Sequence, residues 1–143
     1  MQNKPVTKKY SELNVNEKFS FDVSITKEII DNFAELSGDR NPLHMDDDYS
    51  KTTIFGQRIG HGMLSGLWFS RLIGMHLPGT YSLYLSQSLN FHKPFKIGLK
   101  LKVTGEIIQK IDAVQTVKIK TTITDEFSKE TFVSGDALVK LLS

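Results

Sequence analysis

The chain of 143 residues contains no cysteine. Disulfides, a thiol nucleophile and cysteine-ligated metal are therefore excluded, and a reducing, cytoplasmic setting is the expectation. No charge of one sign dominates: 18 lysines and arginines stand against 16 aspartates and glutamates, a net charge of +2. That balance does not point to nucleic acid as a partner. Long apolar runs are missing too. The most apolar stretch, 63–77, is broken by Ser65, Gly66, Ser70, Arg71, Gly74 and His76. It is too short and too interrupted to span a bilayer, so no membrane partner is expected. Residues 1–21 are polar and lysine-containing, without the apolar core of a signal peptide. Internal repeats and low-complexity tracts do not occur. What is present is ordinary: 39% hydrophobic and 24% charged residues, which fits one globular domain over 1–143 with one sizeable core.

Local periodicity changes midway along the chain. Residues 1–18 read as a loosely structured entry. Phe19, Phe21, Val23 and Ile25 alternate with polar residues, which predicts a strand with one buried face. Thr26 is a helix N-cap candidate, Ile29, Ile30, Phe33 and Leu36 follow at helical spacing, and Gly38 stops that helix. Asp46, Asp47 and Asp48 suit the first turn of a short helix around 49–52 better than a calcium loop, which needs alternating ligands and a glycine. From Gly62 a helix is predicted whose apolar residues (Met63, Leu64, Leu67, Trp68, Phe69, Leu72, Ile73, Met75) bury it on most sides. Pro78-Gly79 ends it. The stretches 82–91, 99–107, 117–123 and 133–141 then alternate with period two, as strands of a largely antiparallel sheet. The expected class is α+β, a curved antiparallel sheet wrapped around the long apolar helix.

Two short stretches carry chemistry. Ser37-Gly38-Asp39-Arg40-Asn41-Pro42-Leu43-His44 places a carboxylate and an imidazole five residues apart in a loop that Pro42 stiffens. Both can reach one water, which one group can deprotonate while the other returns a proton. Asn41 between them can orient either neighbour. The structural alternative is a turn capped by Asp39 and Asn41, but a turn needs no histidine there. Gly60-His61-Gly62-Met63 opens the apolar helix, so the Gly62 N–H faces outward at a helix N-terminus and suits an oxygen gaining negative charge. His61 reads as structural rather than as a second base, and a zinc site from His44 and His61 lacks a partner at ligand spacing. Lys93, Lys96, Lys100 and Lys102 form a basic strip. Such a strip is usually just solvated, though it could meet the phosphates of a carrier.

These residues resemble the MaoC-like (R)-specific enoyl-CoA hydratases. The family signature is an aromatic and a small residue, then Gly-Asp-x-Asn-Pro-aliphatic-His, five residues, and a small residue. It is matched by Phe33-Ala34, by Gly38 to His44 and by Ser50, and Arg58-Ile59-Gly60-His61-Gly62-Met63-Leu64 is similar to its second block. The resemblance implies a hot-dog fold, a homodimer or higher homo-oligomer, and hydration of trans-2-enoyl thioesters to (3R)-hydroxyacyl thioesters. No metal or redox cofactor is implied; coenzyme A or acyl carrier protein enters with the substrate. It assigns Asp39 and His44 to the acid–base pair, Asn41 to their support and the Gly62 N–H to the thioester carbonyl. Ser70, His61 and Met63 fall on the substrate side. Gly60 stands where alanine or valine is commoner, and Leu99 follows Gly98 where aspartate is common; both bear on substrate range. A hot-dog thioesterase and a non-catalytic acyl-thioester-binding subunit are the alternatives.

Overall fold

The computed structural model describes residues 4–143. Its elements in chain order are β1 (Lys18–Ser24), α1 (Lys27–Ser37), α2 (Pro42–Met45), α3 (Asp47–Lys51), β2 (Ile59–Gly60) and α4 (Leu64–Arg71). A π-helical segment, Leu72–His76, continues α4. Strands β3 (Ser82–Gln87), β4 (Asn90–Phe91), β5 (Phe95–Lys96), β6 (Lys100–Ile111), β7 (Thr116–Asp125) and β8 (Thr131–Leu141) follow. The main sheet is antiparallel, in the order β1-β6-β7-β8-β3, with β4 also on β8. β2 and β5 form a separate two-stranded ribbon.

Alternation decides which face of the sheet is buried. Leu101, Val103, Ile107, Ile119, Ile123, Val133 and Val139 are fully inaccessible, and every second residue between them faces away. Their partners on the helical side fall into two groups. Leu64, Trp68, Phe69 and Leu72 pack with Leu101, Val103, Ile123 and Val133. Ile73 and Leu77 pack with Ile107, Val117, Ile119 and Val139. The helical segment is thus the spine joining two halves of the core. Each large side chain so buried contributes about 1.5–3 kcal/mol. The approach is close because Gly105 lacks a side chain: a Cβ there would stand 2.8 Å from Leu72 Cδ2.

The predicted strands, α1 with its Thr26 cap and its end at Gly38, and the α+β class all correspond to observed elements. Four expectations need correction. The central helix is not buried on most sides: Met63 is 54% and Leu67 45% exposed, and Ser70 and Arg71 also face outward. The sheet wraps only one side of it. The stretch 82–91 is two strands, broken where Ser88 bonds through both its N–H and its Oγ to the backbone of Asp136. The entry is not loose over its described part. Val6 donates to Met75 O and accepts from Thr80, and Tyr10 and Leu13 are buried in the second half of the core; residues 1–3 lie outside the described residues. Finally, Pro42 to Met45 is a helical turn rather than a loop.

Candidate active site

The site is built where α1 ends. Gly38 takes a left-handed conformation, and the chain reverses into Asp39. One Asp39 carboxylate oxygen accepts the Asn41 N–H at 3.2 Å. The Asn41 side-chain oxygen in turn accepts the Leu43 N–H at 3.0 Å, so Asn41 is the N-cap of α2 with Pro42 in the first helical position. Asn41 therefore supports the pair through its backbone and through the helix it starts. His44 rides on that turn. Its Nδ1 lies 2.7 Å from the Ile59 carbonyl; a carbonyl only accepts, so Nδ1 carries the proton and Nε2 keeps a free lone pair.

Two buried residues hold this arrangement from behind. Arg58, 6% exposed, donates from Nε to the His44 carbonyl oxygen and from Nη2 to Asp31 Oδ1 at 2.6 Å. It ties the catalytic turn to α1. His61 is 2% exposed, and its Nε2 donates to the Asp39 carbonyl at 3.0 Å. Its ring lies 4.0 Å from that of His44 and 4.5 Å from that of Phe33. Burial, then the neighbouring His44, holds the His61 imidazole below its ordinary pKa against the opposing pull of Asp39. Sequence reading gave Arg58 no role, because nothing in a sequence separates a buried arginine from the exposed majority.

One nitrogen or carboxylate oxygen from each of Asp39, His44 and His61 lies within 4.8 Å of the other two. A bridging water spans up to about 5.6 Å between two partners at ordinary hydrogen-bond length, so Asp39 and His44 can share one. The same spacing raises the question of a metal. His44 Nδ1 and His61 Nε2 are already committed to carbonyls, and the two rings are tilted by 30° with centroids 4.0 Å apart. A zinc ion held by these two nitrogens would have to take both from their carbonyls. Committed in this way, the two histidines are a poor donor set for zinc.

Gly62 lies ahead of α4 rather than in it, in a turn whose carbonyl accepts from Ser65 N and Oγ. Among the described residues no acceptor takes the Gly62 N–H. A cavity of about 300 Å³ opens beside it, lined by His44, Phe55, Ile59, Gly60, Gly62 and Phe91 among others. A Cβ on Gly62 would come within 3.1 Å of the Phe91 ring, so a side chain there would fill the seat. Met63 and Ser70, expected on the substrate side, are exposed and do not line this cavity. His61 is shut off from it by burial; its contacts are with Asp39, His44 and Phe33. Half of the lysine strip is paired across strands or loops: Lys93 with Glu130, Lys102 with Asp22. Only Lys93 borders the cavity.

A curved antiparallel sheet clasping one helix defines a hot-dog domain, and here Asp39 and His44 stand together beside a cavity that His44 and Gly62 line. Its family follows from comparison with known proteins. Residues 11–127 match the family model described as MaoC like domain, and the chain belongs to the MaoC-like family. The (R)-specific enoyl-CoA hydratase of Aeromonas caviae is 42% identical over 112 residues, covering 76% of this chain and 81% of that protein. The (R)-specific enoyl-CoA hydratase of Rhodospirillum rubrum is 34% identical over 130 residues, covering 91% and 89%. The R-hydratase PhaJ1 of Pseudomonas aeruginosa superposes with a TM-score of 0.87 at 39% identity, covering 93% of this chain and 84% of that one.

Proposed function

We propose that this protein is an (R)-specific enoyl-CoA hydratase, adding water across trans-2-enoyl thioesters to give (3R)-hydroxyacyl thioesters, and catalysing the reverse dehydration. The reading is supported by an Asp39 carboxylate oxygen and a His44 ring nitrogen lying within 4.8 Å of each other, a span that one water can bridge, beside a cavity lined by both His44 and Gly62. The relatives named as (R)-specific hydratases support the substrate and its stereochemistry.

The chemistry closes without a metal or redox cofactor. Water donates its hydrogens to the Asp39 carboxylate and to His44 Nε2. Its oxygen attacks C3 of the enoyl group, and electrons move through C2 to the thioester oxygen, where the Gly62 N–H meets the developing charge. One proton passes from the water to the pair and one is returned to C2, so the enzyme ends as it began. Acid–base assistance of this kind is typically worth about 10²–10⁴ in rate.

The reading includes a homodimer. Among the described residues β3 is a free edge of the main sheet, and its Leu83 and Leu85 are 45% and 52% exposed; Leu67 on α4 and Met63 just ahead of it are exposed as well. An apolar edge strand without guarding charges is a surface that pairs with another chain. No helix among the described residues is long and apolar enough to cross a membrane, and the cytoplasm is the proposed location.

The test is direct. With crotonyl-CoA, hydration removes the enoyl absorbance without releasing thiol; thiol release would instead mark a thioesterase, and neither change a binding subunit. Asp39→Ala and His44→Ala are each expected to lose at least about 10²-fold in turnover while melting within a few degrees of the parent. Full activity in either variant defeats the assignment.

A further inference from the structure

The residue the mechanism does not use is the one most enclosed by the site. His61 touches both members of the acid–base pair: its Nε2 bonds the Asp39 carbonyl at 3.0 Å, and its ring covers that of His44 at 4.0 Å. Its other close ring is Phe33 of α1, at 4.5 Å. The next residue in the chain is Gly62. One residue thus links the backbone of Asp39, the His44 ring and, through the next peptide, the Gly62 N–H.

We infer that His61 is a positioning residue that fixes Asp39 and His44 relative to the Gly62 N–H. This rests on the hydratase reading of the site. A purely packing role fits poorly, because His61 Nδ1 is buried with no hydrogen-bond partner among the described residues. An orphaned buried nitrogen weakens a fold, and phenylalanine would fill the place between two rings without that defect. The imidazole is explained by the bond its other nitrogen makes. A role in holding substrate fits no better, because the side chain is 2% exposed.

The consequence is a separation of stability from turnover. His61→Phe keeps an aromatic plate but removes the donor to Asp39. Its thermal midpoint is expected to equal or exceed the parent's, while kcat on crotonyl-CoA falls by about 10²-fold, the scale of a misplacement near 1 Å, and KM stays within about twofold. His61→Gln, which retains an N–H donor, is expected to recover part of the lost kcat. A second measurement needs no substrate. The Asn41 N–H is held by the Asp39 carboxylate, so its hydrogen exchange is expected to quicken at least about tenfold in His61→Phe and to slow again in His61→Gln. A protein that hydrates nothing but shows this exchange pattern would refute the hydratase reading and leave the positioning role standing. An unchanged kcat with unchanged Asn41 exchange overturns the role, as does a raised KM at constant kcat. Should His61→Phe not fold, His61→Met, also without a donor, is read in the same way.

Discussion

At the scale of single residues, the site depends on what is absent as much as on what is present. Gly62→Ala puts a methyl group against the Phe91 ring. Phe91 is 52% exposed and free to yield, so the fold should survive. The thioester seat should not: the N–H stays, but the methyl group displaces the carbonyl from it, and kcat on crotonyl-CoA is expected to fall by about 10²-fold, the scale of a misplacement near 1 Å. An unaltered rate would dissociate Gly62 from catalysis. That Asp39 meets His44, and that Gly62 borders the same cavity as His44, was legible in the sequence because the motif fixes residue type and spacing together. Met63 and Ser70 were placed on the substrate side by position along a helix whose exposed face the sequence did not reveal. Arg58 was not legible as a support, since its bonds run to Asp31 and His44, distant in sequence.

Among elements, the helical spine carries both the packing and a pH response. His76 ends the π-helical segment and stacks on Phe19 of β1 at 4.1 Å, with Phe21 also close. Burial, then the positive charge of Arg71, lowers its pKa, and burial lowers that of His61. For both, the unfolded chain binds more protons than the folded one just below the ordinary histidine value of 6.5. Their contribution to stability is therefore complete above that value and is lost as pH falls from it through the folded-state pKa. Thermal melts taken between about pH 7.5 and about pH 5 should show a falling midpoint. His76→Phe, which retains the stack, should shrink the fall; an identical pH dependence in that variant would remove His76 from the account. The strands were readable because alternation reports one-sided burial directly. The helix was misjudged because an apolar circumference looks the same whether a sheet or a second chain covers it. The one-turn helix α2 was hidden by Pro42, which suits a loop and a first helical turn equally.

For the whole molecule, the proposed dimer would use the β3 edge and the exposed apolar residues of α4. Leu67→Glu combined with Leu85→Glu is expected to turn a dimer into a monomer in sedimentation velocity. A parent protein already monomeric at micromolar concentration would dispose of that assembly. The antiparallel pairing of β6, β7 and β8 follows from strand spacing and the wrap around one helix from its apolar pattern, whereas the edge places of β1 and β3 were not legible. Nor was the side of the helix that stays uncovered, because that is decided by the curvature of five strands acting together.

The contact between Phe91 and Gly62 leaves the molecule with a convenient optical position. Its lone tryptophan, Trp68, is 8% exposed and packed against Phe95, a steady emitter in the interior. An indole introduced at 91 would stand at the mouth of the cavity, and its emission would register the arrival of a ligand against that constant background.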